Sequence, residues 1–228
     1  MQRRMFVLAA FGALVAPPAS AQLARLTQGD AARGVKEALT LASTLATQRL
    51  GQRDGFFGDA RVRIPLPSTL ARAQRSLSPL GLAGPLDDLQ LRMNRGAEAA
   101  MPAARRLLVD AVRGITVQDA IGIVSGGDNA ATAFLRQRTE PQLTTALTPP
   151  MQNALNGAGA FTALDRVASS PSLSAFGVNS ASLRTQVVSF AVTKGLDGAF
   201  SYIAEEERGI RRDPVRRSSD LLRRVFGA

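Results

Sequence analysis

The chain has no cysteine, no histidine and no tryptophan, and its 228 residues include one tyrosine, Tyr202. Each gap removes a class of chemistry. Without histidine there is no imidazole acid or base, and without cysteine as well the Ser-His and Cys-His pairs and the usual zinc ligands are missing. No disulfide can staple the fold in an oxidising compartment. The only lysines, Lys36 and Lys194, have no serine three residues before them, so the Ser-x-x-Lys nucleophile is missing too. One tyrosine and no tryptophan supply no row of aromatic faces on which single-stranded bases could stack, which argues against nucleic acid as a partner. Long apolar runs are also lacking. The run at residues 5–15 falls short of the roughly 20 helical residues that cross a hydrocarbon core, and no later apolar run is longer.

That short run has another use. Arg3 and Arg4 precede it, and Pro17-Pro18 and the small-residue site Ala19-Ser20-Ala21 follow, which is the three-part form of an export signal cleaved after Ala21. The paired arginines before Phe6, Val7 and Leu8 also resemble a twin-arginine signal, with Gln2 where Ser or Thr is usual, so that route and the general secretory route both stay open. Since no cysteine can carry a lipid, the expectation is a periplasmic or secreted protein that is not a lipoprotein. Residues 22–228 should form a single domain, because no Pro/Gly/Ser-rich linker divides them.

The formal charge of +10 falls to +8 once the signal is removed. Arginine supplies nearly all of the cations, and seven of them between Arg208 and Arg224 face only Asp213 and Asp220. A weak contact with an anionic membrane surface through this C-terminal region is one reading, and a solvated basic face is the other.

Apolar residues recur at helical spacing along most of the chain. Val35, Leu39, Ala42, Ala46 and Leu50 form one stripe, opened by a capping-box signature at Thr27 and Asp30. Residues 52–67 differ: Asp54-Gly55 reads as a turn, Phe56-Phe57 as an apolar plug, and the Ile-Pro-Leu-Pro run at 64–67 as a short extended arm lying on helices. Further helices start at Ser68 and at Gly84-Pro85, with a break expected at Met101-Pro102. Thr116 with Asp119 marks another capping box. Gly126-Gly127 stops that helix and Asp128 is expected to cap the next, while Thr139 with Gln142 and the pair Pro149-Pro150 suggest fresh starts. Leu183 through Ile210 reads as one long helix or two meeting near Gly195, and Ser219 caps a last short one. The expected fold is all-α: an irregular multi-helical single domain of about nine helices with the extended arm.

Two groups of polar residues stand out as candidate ligand or structural sites. Asn94, Arg95 and Glu98 lie on one helix at the edge of its apolar stripe, where they could line a pocket or form an Arg95–Glu98 pair. Asp128 sits in the Ser-Gly-Gly-Asp turn at residues 125–128, read as a tight helix–helix corner or, against its missing lysine and its own charge, an anion loop. Glu207 falls within about 40° of the line through Phe200, Ile203 and Ile210, with Glu205 opposite, so its carboxylate should be buried. It should pair with Arg211 four residues on, or serve as a polar handle in an apolar cavity.

Five blocks carry a family resemblance: I-P-L-P at 64–67, D-D-L with N-R and A-E at 87–98, S-G-G-D-N-A-A-T at 125–132, L-D-G-A-F with A-E-E-E at 196–207, and L-L-R-R-V-F-G at 221–227. Together they resemble a group of bacterial envelope proteins, domain of unknown function 4197. The resemblance implies an exported, all-helical protein and assigns no catalytic residue. Some members look like lipoproteins, a feature that this cysteine-free chain lacks. No cofactor or metal is expected. The function expected is non-enzymatic binding of an apolar or amphipathic small molecule, or of an envelope protein partner, between the helices. The alternative is a carboxylate-based enzyme using Glu98, Glu207 or Asp128.

Overall fold

The computed structural model describes residues 28–171 and 180–227. Residues 1–21, expected to be an export signal, Thr27 of the first capping box and positions 172–179 lie outside the described residues. Eight α-helices carry the fold: α1 (Gln28–Leu50), α2 (Ser68–Leu77), α3 (Gly84–Arg113), α4 (Val117–Val124), α5 (Ala130–Gly157), α6 (Ala160–Ala168), α7 (Ser180–Arg212) and α8 (Asp220–Phe226). Two 3-10 turns, Ser78–Leu80 and Pro214–Arg216, complete the set, and no strand occurs among the described residues. Among the described residues the architecture is all-α, with eight helices where about nine were expected.

The difference in number comes from prolines that fail to break helices. Helix α3 runs through Pro102, and α5 runs through Pro141, Pro149 and Pro150. A proline inside a helix costs about 3 kcal/mol in lost hydrogen bonding and crowding. On α5 the opposing force is a one-sided stripe at i, i+4 spacing, Leu143, Leu147, Met151 and Leu155, each almost wholly buried. Burial of such a side chain contributes roughly 1.5–3 kcal/mol, so the four together are of the same size as the cost of the three prolines. Helix α7 likewise passes through Gly195 unbroken.

Helix α3 packs against α1, α5 and α6, while α7 lies across α1 and α5. Alanines on α1 and α3, including Ala38, Ala42, Ala97 and Ala104, are buried at these contacts and let the axes come close. The 51–67 segment between α1 and α2 forms turns and then an irregular run at residues 63–67. Its apolar side chains Phe56, Ile64 and Leu66 are buried in the core. Phe56 reaches α7 at Gly198, where an added Cβ would come within 2.7 Å of its ring, so only glycine leaves room for it.

Candidate functional site

Asn94, Arg95 and Glu98 project from one side of α3 onto the 51–67 segment. The Asn94 side chain is fully buried and treats Ile64 as a β-strand would, accepting from the Ile64 N–H at 2.9 Å and donating to its carbonyl at 2.8 Å. The Glu98 Oε1 accepts from the N–H groups of Phe56 and Phe57 at 3.2 and 3.3 Å. Its Oε2 takes a 2.7 Å bond from Arg95, whose other terminal nitrogen holds Asp54 at 2.7 Å. Asp54 has a φ of 66°, in the left-handed region, which aspartate tolerates better than most side chains. One turn of helix thus satisfies four backbone groups of an irregular segment and the charge on Asp54.

Glu207 and Arg211 meet at a second joint, beside which Asp128 pairs with Arg212. Helix α5 begins at an N-cap, Asn129, that makes no side-chain cap bond. Its orphan donors are met from 75 residues away: Glu207 Oε1 accepts from the Ala131 N–H at 3.0 Å, and Oε2 from the Thr132 N–H at 2.8 Å and hydroxyl at 2.6 Å. These are the positions an N-cap side chain ordinarily serves, at the positive end of the helix dipole. Arg211 completes the pair with Nε 2.9 Å from Glu207, and its Nη2 donates to the Ile123 carbonyl at 2.9 Å, where α4 ends. With side chains only 1% and 9% exposed, Glu207 and Arg211 form a buried ion pair that caps two helices at once.

The expectation that Asp128 caps α5 is corrected here: the N-cap is Asn129, and Asp128 pairs with Arg212 on α7. That guanidinium holds the Asp128 carboxyl below the usual carboxylate range. The corner itself is as tight as the glycines suggest, since a Cβ on Gly126 would lie 2.6 Å from that of Ala130. The anion at this helix N-terminus is the chain's own Glu207. The two joints share no residue or hydrogen-bond partner.

A third cluster was not anticipated. Tyr202, 1% exposed, donates its hydroxyl to Asp59 and accepts from Arg61 at 2.7 Å. Arg61 also bonds Asp59 at 2.8 Å and Glu205 at 3.0 Å. Hydrogen bonds from Arg61 and then Tyr202 hold the Asp59 carboxyl well below its ordinary range, while burial and then Asp59 push the Tyr202 phenol up. The signal available in the sequence was Tyr202 itself, a lone phenol on the inward side of α7.

Clefts follow the flank of α7 past this cluster. The most spacious described, about 670 Å³, lies between Pro67-Ser68 and the α7 face that bears Thr185, Ser189 and half-buried Phe190. A second, of about 450 Å³, lies between the end of α1, the turn at residues 52–60 and Tyr202. None of the six sequence-nominated residues lines either of them.

The C-terminal arginines are largely spoken for. Arg211, Arg212, Arg216 and Arg223 each pair with a carboxylate, and Arg217 donates to the carbonyls of Ile210 and Arg211 at 3.1 and 2.8 Å.

Fold and joints together define an all-helical domain in which buried carboxylates cap and clamp the chain itself. The family described as protein of unknown function, DUF4197, matches residues 25–227, and the chain belongs to it. No curated protein and no solved structure matches the chain.

Proposed function

We propose that the protein is an exported, non-enzymatic binding protein of the bacterial envelope that takes an apolar or amphipathic small molecule into the cleft beside α7. The observation that carries this reading is the cleft of about 670 Å³, within the 300–1,000 Å³ usual for ligand sites. Pro67 and Phe190 supply apolar walls, and the hydroxyls of Thr185, Ser189 and Thr193 supply polar anchors along one edge. Residues 64–67, read as an extended arm, end at this wall, with Pro67 at φ −52° and ψ 150°. The non-enzymatic reading is supported by the fate of the carboxylates: Glu98 and Glu207 spend their oxygens on backbone donors and arginines, and Asp128 faces Arg212. Export rests on the signal form of residues 1–21. Weak contact with anionic lipid is part of the same reading, now narrowed to Arg208 and Arg224, which have no carboxylate partner among the described residues.

Native mass spectrometry of protein purified from its own envelope tests this reading. The expected result is a noncovalent mass increment on a chain that starts after Ala21, reduced when Phe190 is changed to Ala in a variant whose circular dichroism is unaltered. A chain that keeps Met1, or one that carries no increment from any preparation, would contradict it.

A further inference from the structure

We propose that the cleft between the end of α1 and the turn at residues 52–60 is an oxyanion site for a phosphate monoester, held by Arg49 and Arg53 beside the ring of Tyr202. The site shares no residue with the α7 cleft, so the two proposals stand or fall separately.

The free donors select the class of ligand. Two carboxylates line the cleft and both are engaged: Asp54 with Arg95 at 2.7 Å, and Asp59 with Arg61 at 2.8 Å and with the Tyr202 hydroxyl. The two guanidinium groups that line it, those of Arg49 and Arg53, have no carboxylate partner among the described residues. Arg95 and Arg61 each serve a second carboxylate, Glu98 and Glu205, so the surroundings are close to neutral overall. What the cleft offers is two guanidinium forks without a carboxylate contact, which fit the three terminal oxygens of a phosphate monoester better than the two of a carboxylate.

Geometry points the same way. The Arg49 guanidinium lies 4.6 Å from the centroid of the Tyr202 ring, a cation–π contact that holds it in place before any ligand arrives. The ring is itself fixed, because the phenol is buried and its hydroxyl is tied to Asp59 and Arg61. A planar fork held in this way loses little freedom on meeting phosphate oxygens, which it can contact in bidentate fashion. The hydroxyl of Tyr202 is committed elsewhere, so the ring acts as a platform and the arginines make the contacts. At about 450 Å³ the cleft exceeds a phosphate group, leaving space for a polar body beside Gln52 and the open edge of the turn.

A phosphate monoester can belong to a soluble metabolite or to a lipid such as phosphatidic acid, and one experiment separates them. Tyr202 is the only tyrosine in a chain without tryptophan, so its emission reports this cleft without background. The full chain is titrated at constant ionic strength with glycerol 3-phosphate, and in parallel with vesicles containing phosphatidic acid or the diester phosphatidylglycerol at equal charge. The expected result is a saturable change in Tyr202 emission with glycerol 3-phosphate, matched by calorimetric heat. Arg53→Gln should weaken it about tenfold or more, as loss of a charge-assisted contact implies, and Arg72→Gln, at an exposed position on α2, should leave it unchanged. Arg49→Gln should do the same as Arg53→Gln in calorimetry, which does not depend on the altered stacking on Tyr202. A response confined to phosphatidic acid vesicles and abolished by Arg53→Gln places the phosphate on a lipid. The proposal is overturned if neither probe gives a saturable response, if phosphatidylglycerol does as well as phosphatidic acid, or if both arginine variants bind like the parent chain.

Discussion

Asp59 and Tyr202 share a hydrogen bond that adds to shifts in opposite directions. The Asp59 carboxyl is held down by the Arg61 bonds and the phenol hydroxyl, whereas the phenol is raised by burial and by the adjacent carboxylate. With one tyrosine in the chain, absorbance of the phenolate gives the second titration directly. Its midpoint should lie above the ordinary value of about 10, and Asp59→Asn should lower it without bringing it to that value, since burial remains. Stability carries the matching signature. A carboxyl depressed in the folded state contributes stability that is complete above its unfolded value of about 3.9 and is lost as pH falls through the folded one. The stability gap between the parent chain and Asp59→Asn should therefore be constant from neutral pH to about 5 and narrow below about 4. A gap that instead widens on acidification would mean that Asp59 is not ionised in the folded protein.

At the scale of elements, the 51–67 segment keeps its place through side chains of α3 and not through a ladder of its own. Removing the amide in Asn94→Ala leaves the buried Ile64 N–H without its partner and the carbonyl with only the 3.4 Å bond from Gln90, a loss of about 2–3 kcal/mol. Amide exchange should quicken across residues 52–67 while α5 and α6 keep their protection, and uniform exchange across the chain would contradict the clamp. This clamp was half legible in sequence. The Asn94, Arg95 and Glu98 spacing marked one helix face, and Arg95 does pair with Glu98, but nothing local says that Asn94 mimics a strand edge. The prolines were misleading for a related reason. Pro102, Pro141, Pro149 and Pro150 are local stop signals, and the stripes that override them, such as Leu143 to Leu155, act through packing with α3 and α7. Two local cap signals held: Thr116 and Asp119 make both bonds of a capping box, and Ser219 caps α8, whereas Thr139 with Gln142 falls inside α5 and starts no helix.

For the molecule as a whole, the helical phase of α7 proved the most informative line in the sequence. Stepping from Leu196 to Ile210 placed Glu207 inside and Glu205 outside, and the pair with Arg211 follows from the same spacing. The other half of that joint, the N-terminus of α5, was invisible because it lies 75 residues away. The same distance blindness explains Asp128, whose partner Arg212 sits on α7 and not in its own turn. It also explains the C-terminal arginines, which look uncompensated in sequence and are mostly paired through space.

Glu207, with Arg211, is a structural joint linking α4, α5 and α7. Its most direct test is the unfolding free energy of Glu207→Gln set beside that of Glu205→Gln, measured by urea titration at neutral pH. Gln at 207 would turn an amide donor toward the Ala131 or Thr132 N–H and strand the Arg211 charge, so a loss of about 3–5 kcal/mol is predicted. Glu205, whose side chain is 41% exposed, should cost less than about 1 kcal/mol. Small and equal losses from the two substitutions would contradict the claim.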